Sequence, residues 1–246
     1  VQQIQRAWAA LKTNHTAVAA YVGAATVLGV VYLLAHRLPM GDIDPENAPD
    51  WMKYYGLALS ILHPVIYSVL QAVGFAFVGR TIDRPLWRCD TALEALKRFY
   101  ITWLLLNLGL YLFMRLIGLA SLWENADLFG FLSLLLAFYY ALYIPVGGAL
   151  MYASRLKQYT VGEALAPLGR RIGATLVVML LMFVGYVVNL MLAVIQRDNL
   201  LIDVINHGAF SFLMAWIELV AFAAVWLLCM DDRAADMTDN NDPFDF

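Results

Sequence analysis

Charge is what this sequence has least of. Of its 246 residues 14% are Asp, Glu, Lys or Arg, and 62% are apolar. Soluble domains carry about 25% charged residues. Cysteine is scarce too: Cys89 and Cys229 alone cannot build a disulfide framework or a cysteine-rich zinc site. The chain has no Gly-rich phosphate loop, no HExxH pair, no CxxC and no Ser-centred nucleophile elbow. Its carboxylates show no metal-ligand spacing. Segments of alternating polarity are missing as well, which excludes a closed transmembrane barrel.

What the chain does have is long apolar runs. Several reach the ~20 residues that a helix needs to cross a ~30 Å hydrocarbon core. They predict six helices at roughly 17–35, 54–79, 100–122, 128–153, 173–196 and 209–230. The expected fold class is therefore an all-α integral membrane protein: one domain over 1–230, then an acidic tail over 231–246. The first run lacks a cleavage site of the small-x-small kind and reads as a span rather than a leader.

The few charges set the threading. Of the fifteen basic residues outside these runs, twelve fall on alternate segments: the start, the 80–99 and 154–172 connections, and the tail. The positive-inside rule places that set in the cytoplasm. Both termini are then expected inside, in the inner (plasma) membrane of a bacterial cell. On this threading both cysteines lie near the reducing side. The sequon Asn14-His15-Thr16 also falls inside and reads as chance.

Two stretches repeat a pattern. "TALEALKRF" (91–99) precedes the third run and "TVGEALAPL" (160–168) the fifth. Each has Thr, then Glu three residues on, the capping-box spacing at a helix start. Val161, Leu165, Leu168 and Ile172 form an apolar stripe, with Arg170 and Arg171 placed for the membrane interface. Ile4, Trp8 and Leu11 form another near the start. A short amphipathic inner-face helix before each odd-numbered span is expected, giving a three-fold helical-hairpin repeat. Pro64 and Pro145 fall inside the second and fourth runs, where proline kinks a helix. In the first run Ala20/Ala24 and Ala25/Gly29 have the four-residue spacing that lets another helix approach closely. The tail, rich in aspartate, reads as solvated, and its ending "PFDF" as a docking element.

"EALKRF" before one span, "IPVGGAL" in the next and "GEALAPLGRR" before another together resemble the YciC-like bacterial membrane proteins. That group includes the membrane domain found beside some glycerophosphodiester phosphodiesterases. The resemblance covers roughly residues 90–200. It implies a six-helix bundle with amphipathic inner-face elements, and it brings no catalytic residues.

Four polar residues stand out within the runs: His63, Arg115, Asn189 and Glu218. A charge mid-span costs ~2.5–3.5 kcal/mol on insertion scales, so each needs a reason. Counted from the expected span ends, all four fall at ~10–13 Å depth from the outer side. Arg115 and Glu218 are the only charges of their sign within the runs, which predicts an ion pair. Two roles follow from this cluster. It either fixes helix neighbours in a non-catalytic accessory or scaffold subunit that binds lipid or other membrane subunits, or it lines the cavity of a small transporter or channel. Haem would need facing axial ligands. Only His63 is deep, while His36 and His207 sit at the boundary, so no cofactor or metal is expected. Nothing in the pattern suits nucleic acid.

Overall fold

A computed structural model describes residues 2–40, 49–83, 91–122, 126–154, 159–194 and 199–239. It is helical throughout, with no strand among these residues: α1 (Gln2–Thr13), α2 (His15–Met40), α3 (Asp50–Ile82), α4 (Ala92–Leu122), α5 (Ala126–Ala153), α6 (Val161–Arg170), α7 (Ile172–Val194) and α8 (Leu200–Asp239). Five of the helices are long and apolar enough to cross a membrane. The number becomes six when α6 and α7, bent by 94° at Arg171, are counted as one broken span. Cys89, the 41–48 connection and the "PFDF" ending lie outside the described residues.

The last helix is the centre of the bundle. α8 packs against α1, α2, α3, α5, α6 and α7, while α4 packs on α3 and α5. Every residue from Glu218 to Cys229 is buried. A helix that is apolar on all sides suits such a place. Inside a bilayer, lipid is as apolar as leucine, so close packing rather than burial from water holds helices together. The sequence supplies that packing with small residues and flat rings. Phe75 stacks on Phe222 at 4.4 Å between centroids and meets Trp103 edge-on at 4.9 Å. On α5, Gly147 lies under the Trp103 ring and Gly148 under Val225, so neighbours on two sides come up to its backbone.

The small residues of α2 divide between two faces. Ala25 and Gly29 are buried, Gly29 beside Ser211 of α8, whereas Ala20, Gly23 and Ala24 face outward. Pro64 and Pro145 both lie inside continuous helices, α3 and α5, and both are buried.

The end of the bundle formed by α1, α6 and the end of α8 is tied by charge. Arg6 donates to both oxygens of Asp231, at 2.6 and 3.1 Å, and Gln3 donates to the same carboxylate at 2.8 Å. Arg170 and Arg171 stand 3.6 and 3.8 Å from Asp232, and Arg171 also donates to the Asp231 carbonyl at 3.1 Å. The arginines expected at the interface thus contact the start of the acidic tail. The first residues of that tail are not free in solvent: α8 continues to Asp239, and Asp231 and Asp232 are held by these cations, while Ala234 and Ala235 are exposed. Asn14 of the sequon donates to the Ala10 carbonyl at 3.0 Å and stops α1.

Both capping boxes form. Thr91 and Glu94 exchange hydrogen bonds at 3.2 Å, and Thr160 and Glu163 at 3.2 and 2.7 Å. The 91–99 stretch, however, is not a separate helix: residues 92–122 run as one helix, whereas α6 and α7 are bent apart. Nothing between Thr91 and the span breaks the helix, whereas Arg171 breaks the α6–α7 run. Hydrogen bonds from Thr160 hold the Glu163 carboxyl below its ordinary value. A depressed carboxyl supports the cap above its unfolded pKa and loses that support as pH falls through the folded one. The Glu163 and Ala164 amides should therefore exchange faster in Thr160→Ala, and faster in the parent at pH 3 than at pH 6 after correction for intrinsic rates. Unchanged protection in both cases would mean that packing of α6, not its cap, sets the start.

Candidate functional site

A half-open cavity of about 540 Å³ lies in the half of the bundle nearest the α2–α3 and α7–α8 connections. Helices α2, α3, α4, α5 and α8 all contribute to its wall. Gly29 and Ser211 bring α2 and α8 together on one side.

At its base is Glu218, 4% exposed. Oε2 accepts hydrogen bonds from the Tyr21 hydroxyl at 2.9 Å and the Tyr67 hydroxyl at 2.7 Å. A second polar set adjoins it. Asn107 Nδ2 donates to Ser68 Oγ at 2.9 Å and to Gln71 Oε1 at 2.8 Å. The Tyr143 hydroxyl lies 2.7 Å from Gln71 Oε1 and 2.6 Å from Asn107 Oδ1, sharing its one proton between them. Ser68 returns its own proton to the Pro64 carbonyl at 2.6 Å, the acceptor one turn back. Gln71 Nε2 is buried and makes no hydrogen bond of acceptable geometry.

Rings and one cation, Arg115, stand near the mouth. Tyr32 packs between His36 at 4.6 Å and His63 at 4.4 Å, and His63 stacks on Tyr67 at 5.7 Å. His207 belongs to the same wall. Arg115 is exposed; its Nε donates to the Tyr111 hydroxyl at 2.9 Å, and the guanidinium lies 5.0 Å above that ring.

His63, Arg115 and Glu218 thus line one cavity, but the expected ion pair is not made: no Arg115 nitrogen comes within 4.0 Å of Glu218. Arg115 lies eight residues, ~12 Å of helix rise, beyond Asn107. Asn107 bonds Ser68, the neighbour of the Glu218 partner Tyr67, so the guanidinium sits nearer the mouth than the carboxylate does. Asn189 lies in α7, its side chain outside the described ones, and α7 adds no described residue to the wall. The charges alone do not point to Tyr21, Tyr67, Tyr143, Gln71 and Asn107. Mid-span amides were the available signal for the last two. No cluster of His, Cys, Asp and Glu able to hold a metal occurs among the described residues. Comparison with family models, with curated proteins and with solved structures gives no match.

Proposed function

We propose that this chain is a multi-pass membrane transporter that binds a small amphipathic molecule in the cavity between α2, α3, α4, α5 and α8. One observation carries this reading: Glu218, a carboxylate at bundle depth, sits on the wall of a half-open cavity instead of in a sealed ion pair. Ionisable groups inside a membrane are expensive, and where they face a cavity they mark substrate or ion paths. A volume of about 540 Å³ falls in the range of drug-sized ligand sites. The chain acts by binding and release and carries out no bond chemistry of its own. A direct test compares small molecules that co-purify with the parent and with Leu110→Trp, a half-buried wall position where the larger ring takes up cavity space. A molecule present in the first and lost from the second supports the reading; equal contents overturn it.

A second reading rests on the outward Ala20, Gly23 and Ala24 face of α2, where a Cβ on Gly23 would meet nothing within 4 Å. Such a face suits a helix of another membrane subunit, as an accessory or scaffold protein would need. A stoichiometric partner that is retained in mild detergent and released by Ala24→Leu favours it.

The proposed orientation puts α1, α6 and the end of α8 in the cytoplasm, in the bacterial inner membrane, with the cavity opening toward the outside. Single cysteines at Asn47 and Asn240, in a background without Cys89 and Cys229, test it. An impermeant reagent on intact cells should label position 47 and spare 240. The reverse pattern would invert the topology and the direction of transport with it.

A further inference from the structure

We infer that the base of the cavity is a recognition site for an organic ammonium ion, held by the Glu218 carboxylate and the tyrosine rings beside it. This rests on the reading of the cavity as a binding site and adds the chemistry of its ligand.

The first argument is charge. Glu218 receives two hydroxyl donors on one oxygen, at 2.9 and 2.7 Å. Neutral hydroxyls satisfy lone pairs but leave the charge uncompensated. The nearest cation of the wall, Arg115, lies beyond 4.0 Å and is engaged with Tyr111. A buried carboxylate without a cation beside it either takes up a proton or draws a cation to itself. The cavity gives a ligand access to it.

The second argument is the wall. Tyr67, Tyr140 and Tyr143 all line the cavity with Glu218. Tyr140 and Tyr143 are near-parallel at 20°, with centroids 6.3 Å apart. Ring faces attract ammonium groups within ~6 Å, and the attraction grows where water is excluded. Phe210, Leu110, Met114 and Met214 line the same space and suit an apolar body attached to the charge. An anion of the same shape would meet the Glu218 charge at the base and could be held only near Arg115.

The test uses the full chain in nanodiscs of phosphatidylglycerol, which has no amine. Phenethylamine and 3-phenylpropionate, matched in size and opposite in charge, are titrated by calorimetry. Phenethylamine should bind, and Glu218→Gln should weaken it by about ten-fold or more, the loss of ~1.4 kcal/mol. Leu134→Ala, at an exposed position of α5 outside the cavity, should change its affinity by less than about two-fold. Should Glu218→Gln fail to give monodisperse protein, Tyr140→Leu removes a ring without touching a hydrogen bond to the carboxylate and should weaken the amine about three-fold, a typical cation–π contribution. Amine affinity that ignores both variants overturns the inference. Binding of phenylpropionate alone, lost in Arg115→Ala, also overturns it while leaving the cavity a binding site. No binding of either probe removes the cavity reading itself. Where the amine binds, adding phosphatidylethanolamine to the nanodisc separates two sources of the same group. Competition identifies a lipid headgroup as the occupant; no competition identifies a free amine.

Discussion

Glu218→Ala is expected to destabilise the bundle by about 1–3 kcal/mol, and Glu218→Gln by less than about 1 kcal/mol. The difference lies in what the tyrosines keep. Alanine removes the acceptor of both hydroxyls. Tyr67 lines the cavity and can turn to water, but Tyr21 of α2 is buried against Gly74 and Phe75 of α3 and would keep an unpaired donor there. Such a donor costs about 1–3 kcal/mol. Glutamine retains an acceptor oxygen and removes a charge from a low-dielectric site, so loss and gain nearly cancel. Unfolding midpoints in mild detergent, read by tryptophan fluorescence, should rank parent and Glu218→Gln together and Glu218→Ala well below. If Gln and Ala are equally harmful, the charge itself holds the helices, and the cavity base is structural.

Gly147→Ala should cost about 1–3 kcal/mol, and Gly147→Leu should abolish the folded monomer. A Cβ at 147 would lie 2.5 Å from Trp103 Cη2 and 2.6 Å from Cζ3. Trp103 has nowhere to go: it is 0% exposed and wedged between Phe75 and Tyr143. Pushing it would also disturb Tyr143, and through it the Gln71–Asn107 set. Trp103→Phe should rescue Gly147→Ala, because the smaller ring vacates the contested space. Gly118→Ala is the control. Nothing lies within 4 Å of its Cβ position, so the better helix former should be neutral or slightly stabilising. Equal losses at 118 and 147 would assign the effect to helix propensity rather than packing.

These two sites were unequally legible in the sequence. The spans were plain, because twenty apolar residues leave little choice, and the capping boxes at Thr91 and Thr160 were plain because their spacing is chemical. Depth was readable only as well as the helix ends were. α8 begins at Leu200, nine residues before the expected start, so Glu218 lies ~13 Å further along its helix than the count from Ala209 implied. The helix dictated by local hydropathy is shorter than the one tertiary contacts sustain, as the Arg37–Asp203 bridge at that end illustrates. Pairing by opposite sign then joined Arg115 to Glu218. Rotation and depth instead gave Arg115 to Tyr111, four residues back on its own helix, and gave Glu218 to two tyrosines. Tyrosine counts as aromatic filling in a sequence, and only a neighbouring carboxylate reveals its hydroxyl as a donor.

The place of α8 also governs how the chain can be made. It follows seven other helices from the ribosome, yet it supplies the surface on which six of them settle. Until it arrives, Phe75 has no Phe222 to stack on and Tyr21 has no acceptor. The earlier helices therefore lack their central partner until α8 is made, and packing of the bundle closes from α8 outward. A stop codon anywhere before Leu200 removes the centre of the protein, not its edge, and quality control should treat every such fragment as unfinished.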